Sequence, residues 1–171
     1  MSQALRDAFQ LKVLSSAAIP AALERAERYR LLSEPAQAES ICLDILAVEP
    51  QNQRALILLL LSLTDQFSED AHCVERAMAL LPSLNEDYHR VYYEGVIHER
   101  HARAHLHRSA PGAGHTAYDL LRQAMQNYEA AEGIRPSGND EALLRWNTCA
   151  RTIMSSHLQP HPVDDSILML E

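Results

Sequence analysis

Residues 124–136 read Ala-Met-Gln-Asn-Tyr-Glu-Ala-Ala-Glu-Gly-Ile-Arg-Pro. Ala124, Tyr128, Ala131 and Pro136 give the frame Ala-x3-aromatic-x2-Ala-x4-Pro. Each place has a mechanical reason on a helix. A small Ala124 lets a paired helix approach closely, Tyr128 fills the gap between pairs, Ala131 permits tight stacking, and Pro136 ends the helix. The frame recurs, worn, at Ala38, Cys42, Ile45 and Pro50, with Ala26 and Tyr29 at the small and aromatic places of the helix before it.

Outward from this stretch, the chain predicts helix throughout. It has 171 residues, five glycines and two phenylalanines, and a composition that favours helix formers over β-branched, turn-rich patterns. The length suits one domain of ordinary size, expected over residues 1–157. One repeat period of about 34 residues on from Ile19, a second unit opens near Gln53, with Leu56, Leu59, Leu60 and Leu63 facing the core. A third opens near Asp87 or Tyr88, with Val91, Gly95 and His98 at large, small and large places. Gly95 and Ala124 lie 29 residues apart, too far for an ordinary turn between paired helices. Only residues 109–114, Ser-Ala-Pro-Gly-Ala-Gly, break this span. A long helical hairpin is expected there, its tip about 12 Å beyond its neighbours at 1.5 Å per residue.

The expected organisation is therefore an amphipathic helix over 2–16 (Leu5, Phe9, Lys12, Val13) covering the first unit, and helix pairs over 19–50, 53–82 and 87–136. A last helix over 139–156, capped by Asn139 or Asp140 and carrying Trp146 and Cys149, is expected to close the array. An extended tail over 158–171 follows.

The Ala124 to Pro136 element resembles the second helix of a tetratricopeptide-repeat (TPR) unit place for place. The resemblance extends over about residues 19–156, with weaker copies before it. It implies an all-α, TPR-like solenoid of antiparallel helix pairs whose first helices line a concave groove for a protein or peptide. Carried onto this chain, the inward places are Glu27 and Arg30; Arg54, Ile57, Leu61 and Asp65; His89, Tyr92, Val96, Glu99 and Arg100; and Asn147 and Arg151. Tyr92, Arg100 and Arg151 are the expected anchors, since Tyr and Arg dominate binding energy when desolvated. One TPR subclass holds a C-terminal carboxylate with Lys and Asn. The matching places near Leu23 and Glu27 carry neither, so that activity is not implied.

Charge and cysteine usage narrow the function. A formal charge of -8 disfavours a nucleic-acid partner. Cys42, Cys73 and Cys149 form no CxxC pair and read as buried packing residues of a reducing compartment. The longest apolar run, 55–61, is far short of a membrane span, and the start lacks a signal-peptide pattern. A cytoplasmic bacterial adaptor is the expectation, with self-association through 58–63 and docking of the acid-apolar tail, 163–170, in a groove as further expectations.

Nine histidines require separate treatment. Glu94, His98, His101 and His105 stand at i, i+4, i+7 and i+11 on one helix, a stripe able to share a metal ion. Metalloprotease chemistry is excluded, because the second histidine of HExxH falls on Ala102. The plainer reading, a basic surface made by these rings with Arg100, Arg103 and Arg108, predicts weaker association as imidazoles lose charge between pH 6 and pH 8. No Gly-rich phosphate loop, no GxSxG and no cysteine with a nearby histidine on a plausible elbow is present. The chain is expected to be no enzyme and to need no cofactor.

Overall fold

The computed structural model describes residues 9–108 and 110–162. Among them are seven α-helices and no strand: α1 (Ile19–Leu31), α2 (Pro35–Val48), α3 (Gln53–Thr64), α4 (His72–Leu80), α5 (Asp87–Arg108), α6 (Ala113–Gly133) and α7 (Glu141–Ser155). Single 3-10 turns sit at Ser16–Ala18 and Leu81–Ser83. The all-helical expectation holds. The chain divides into two compact units at Leu63/Thr64, inside the stretch expected to form one helix pair, and each unit is described by itself.

In the first unit, Pro20 and Pro35 stand in the opening turns of α1 and α2, where a missing N–H costs nothing. Ser33, with φ 61°, turns the chain between them. Asn52 starts α3 by accepting the Ala55 N–H at 3.0 Å. The small places are closed as read from the spacing: Ala26, Ala38, Cys42 and Ile45 are fully buried, as are Leu60 and Ala55. Glu27 and Arg54 form a 2.8 Å ion pair between α1 and α3, both about half exposed.

Two expectations fail in this unit. Residues 9–15 are not helical, and residues 1–8 of the expected 2–16 helix lie outside the described residues. A short helix is stable only when its apolar stripe finds a face, and Phe9, Leu11 and Val13 find none, being 74%, 88% and 87% exposed. The apolar run at 58–63 is no free surface for self-association either, since Leu58, Leu59, Leu60, Ser62 and Leu63 are all buried.

The second unit is built on the hairpin of α5 and α6, 22 and 21 residues long, as the lack of breakers predicts. The turn is tighter than the 109–114 cluster implies: Gly112, with φ 78°, precedes α6 directly, and Gly114 is already helical. Ala117, Leu121, Ala124, Tyr128 and Ala131 are buried along α6. The helix ends at Gly133, before Pro136. Asn139 accepts the Glu141 N–H at 3.0 Å at the start of α7, which packs on α6 through the buried Ala142 and Cys149. Trp146 Nε1 donates to Glu129 at 2.8 Å.

Beyond α7 the chain turns at His157, with φ 50°, and folds back on the start of α6. Leu158 is buried near Gly114. His115 Nδ1 donates to the carbonyls of Gln159 and Pro160 at 3.0 and 2.9 Å, and His161 lies 3.8 Å from Asp119. The tail segment 163–170, expected to dock in a groove, lies outside the described residues. All three cysteines are free and buried, and burial pushes the Cys42 and Cys149 thiols up to about 12. They are packing residues, as read from their spacing.

Candidate functional site

An open hollow of about 440 Å³ lies between α5 and α7, lined by Tyr92, Glu99, Arg100, Arg103, Glu141, Leu144, Arg145 and Thr148. On α5, Tyr92, Glu99 and Arg103 recur at i, i+7 and i+11, one stripe of a 3.6-residue helix. On α7, Glu141, Leu144, Arg145 and Thr148 do the same at i, i+3, i+4 and i+7. Ala142 and Cys149, one step off that stripe, hold α7 against the core.

The floor is a charged network around Glu99, which is 1% exposed. Its Oε2 accepts from the Tyr128 hydroxyl at 2.7 Å and from Arg145 Nη1 at 2.9 Å. Its Oε1 lies 2.6 Å from Arg103 Nη2. Arg145 Nε donates to the Tyr92 hydroxyl at 2.9 Å, and its guanidinium carbon stands 5.9 Å from the Tyr92 ring centre, within cation-π range. Burial pulls the Arg145 pKa down, but the neighbouring Glu99, Tyr128 and Tyr92 outweigh it and the net direction is up. The Tyr128 hydroxyl is pushed up by burial and then by Glu99. Tyr88 stacks on Tyr92 at 5.5 Å, and burial pushes Tyr93 up to about 12. The Arg103 and Arg145 guanidiniums both lie against the Glu99 carboxylate. Each carries five N–H donors, of which Glu99 and Tyr92 engage only some.

Of the groove residues read from the sequence, the hollow brings together Tyr92, Glu99 and Arg100. Asp65 is ion-paired to Arg100. Tyr92, one of the expected anchors, and Glu99, one of the expected inward places, are both buried. Arg151 is exposed on α7, one turn beyond Thr148. Asn147 lies elsewhere, with Trp146, Leu143, Glu129 and Glu132. His89 sits 3.7 Å from Glu86, its ring against Tyr93. Glu27, Arg30 and Arg54 belong to the first unit. Sequence reasoning placed Arg103 only in a basic surface with the histidines and missed Glu141, Leu144, Arg145 and Thr148. The Ala142 and Cys149 spacing is the signal that could have placed them, because it fixes which face of α7 is core.

The histidine stripe does not gather into one site. Glu94 approaches His98 at 4.0 Å, while His101 and His105 form a separate pair, Nε2 to Nε2, at 3.2 Å. Among the described residues, no three His, Cys, Asp or Glu side chains converge on a point able to hold a metal ion. His98 is half-buried and its pKa is lowered by burial. That of His101 is lowered by burial, then by His105, His98 and Arg108. These two rings therefore do not titrate at the ordinary 6.5, as the basic-surface reading expects, but below it.

A stability effect follows from that direction. The unfolded rings take protons near pH 6.5 and the folded ones only at lower pH, so the unfolded state binds more protons as pH falls through this window. Stability should be intact at pH 7.5 and decline between pH 6.5 and 5.5. Urea midpoints at these pH values should show the decline, and His101→Gln should flatten it. Parallel slopes in wild type and variant would contradict the assignment.

The chain matches no family model, no curated protein and no solved structure. Among the described residues no helix is long and apolar enough to cross a membrane.

Proposed function

We propose that this chain is a non-catalytic scaffold that binds a protein or peptide, and that the α5–α7 hollow receives an acidic segment carrying an apolar side chain. The observation that carries the reading is the pairing, on one open surface, of clamped guanidiniums with an exposed apolar residue. Arg103 and Arg145 are held in place by Glu99 before any partner arrives, so their remaining donors meet a carboxylate at little ordering cost. Leu144, 61% exposed beside them, offers the apolar contact. The hollow suits side chains of an extended or helical segment better than an enclosed small molecule.

The same reading keeps the TPR-type adaptor as the architecture, with a cytoplasmic setting. The buried small and aromatic places on α2 and α6 support it, as does the close fit of Gly95 against Tyr128. Catalysis forms no part of the proposal. Glu99, the buried carboxylate of the hollow, accepts at Oε2 from Tyr128 and Arg145 and is ion-paired through Oε1 to Arg103, so its charge is engaged on the floor.

Fluorescence anisotropy with labelled twelve-residue peptides tests the proposal. Acidic peptides containing Leu or Phe should bind with Kd in the micromolar range and weaken with added salt, while basic counterparts should not bind. Leu144→Glu, at an exposed position, should weaken binding about tenfold or more. Equal affinity for acidic and basic peptides, or an unchanged Kd in Leu144→Glu, would overturn it.

A further inference from the structure

The first unit holds an apolar hollow of its own, about 310 Å³, between α1 and α2 and lined by Leu14, Ala18, Ala21, Ala22, Arg25, Ile41 and Asp44. The chain entering this unit carries Phe9, Leu11 and Val13, at 74%, 88% and 87% exposure the most solvent-bared cluster of large apolar side chains among the described residues. Among the described residues nothing covers the apolar arm or the apolar hollow, which lie a few residues apart in one unit. Leu14 already forms part of the hollow's wall, yet the residues before it do not fold in. An extended chain advances about 3.3 Å per residue, so an arm running straight on from Leu14 would carry Leu11 and Phe9 roughly 10 and 16 Å away.

We infer that the hollow is occupied by residues 9–13 of a second copy of this chain, in a reciprocal exchange of arms. Two such contacts related by a two-fold axis close on themselves, and both arms and both hollows are covered at once. The hollow has room for one or two large side chains. Charge agrees with the same occupant: Lys12, the chain's one lysine, lies between Leu11 and Val13, and Asp44 on the rim has no ion pair among the described residues. Lysine's flexible four-carbon stem lets its ammonium reach a rim carboxylate while the neighbouring apolar side chains enter the hollow. Own-chain closure would require the arm to reverse within the few residues before Leu14. The exposure of Phe9, Leu11 and Val13 gives no sign of that reversal.

The test uses the full chain and sedimentation equilibrium over about 1–200 μM. A monomer–dimer equilibrium is expected, shifted at least tenfold toward monomer by Leu11→Asp in the arm and by Ala21→Glu at the hollow, both exposed positions where the fold should persist by circular dichroism. Lys12→Asp and Asp44→Lys should each weaken the dimer, and the double variant should restore it. Mixing Leu11→Asp with Ala21→Glu leaves one good arm and one good hollow in opposite molecules, so heterodimers should form where neither variant dimerises alone. A monomer at every concentration would overturn the inference. So would a dimer indifferent to Leu11→Asp and Ala21→Glu, or charge variants without rescue.

Discussion

Replacing Glu99 by alanine should lower the unfolding free energy by about 3–5 kcal/mol, the usual cost of breaking a buried ion pair by removing one partner. The loss is not that of a single contact. Arg145 Nη1 and the Tyr128 hydroxyl both donate to Oε2, and Arg103 lies against Oε1, so alanine would leave the buried Tyr128 phenol without its acceptor and both guanidiniums without their carboxylate. Tyr128→Phe removes one donor and keeps the ring, and should cost only about 1 kcal/mol. The pair in a double-mutant cycle should couple strongly, because both act on one oxygen. Urea denaturation at pH 7.5 measures all of these. A Glu99→Ala cost below about 1.5 kcal/mol would mean that water replaces the carboxylate and that the network does not hold α5 to α7. The same variant should also loosen Arg103 and Arg145 in the hollow, so its peptide affinity reports preorganisation and does not isolate direct contact.

This network was also the least legible part of the molecule in the sequence. Glu99 reads as a solvent-facing acid on an amphipathic helix, and nothing in the local spacing says that Arg145, 46 residues on, will turn it into a buried anchor. Ion-pair choice between helices depends on which faces meet. The face of α7 was misplaced by one residue step in the sequence reading, which chose Asn147 where Thr148 lines the hollow. By contrast, Ala38, Cys42, Ala124, Tyr128 and Ala131 were legible because each place has a local steric requirement, and all are fully buried. The length of α5 and α6 was legible because helix continues wherever no breaker intervenes. The start of the chain misled for the same reason in reverse: Leu5, Phe9 and Val13 carry helical spacing, but periodicity offers a face without supplying the surface to cover it. The histidines fall between these cases. Their stripe on α5 follows from spacing, while its division into a Glu94–His98 pair and a His101–His105 pair depends on rotamers that spacing does not set.

The second large effect is expected at Gly95. A Cβ built there would stand 2.7 Å from Tyr128 Cε1, 3.0 Å from Cδ1 and 3.2 Å from Asn127 Cβ. Gly95 is helical and has an ordinary φ, so the glycine is required by the approach of α6 and not by backbone conformation. Two opposing terms decide the outcome of Gly95→Ala. Helix propensity favours alanine by about 1 kcal/mol, while overpacking a closed contact costs about 1–3 kcal/mol. Tyr128 cannot swing aside cheaply, because its hydroxyl is tied to Glu99 and its ring is fully buried against Tyr92. The overpacking term should therefore win, with a net loss of about 1 kcal/mol for alanine. For Gly95→Leu the propensity gain is no larger and the added volume has nowhere to go, so the loss should reach roughly 3 kcal/mol or more. Pairing Gly95→Ala with Tyr128→Leu, which removes the ring from the contact, should make the alanine neutral or favourable relative to Tyr128→Leu alone. Thermal and urea unfolding of the four proteins give the comparison. If Gly95→Ala stabilises the protein with Tyr128 intact, then the two helices do not meet at this point, and the close fit of a small place against an aromatic one cannot be what sets the spacing of α5 and α6.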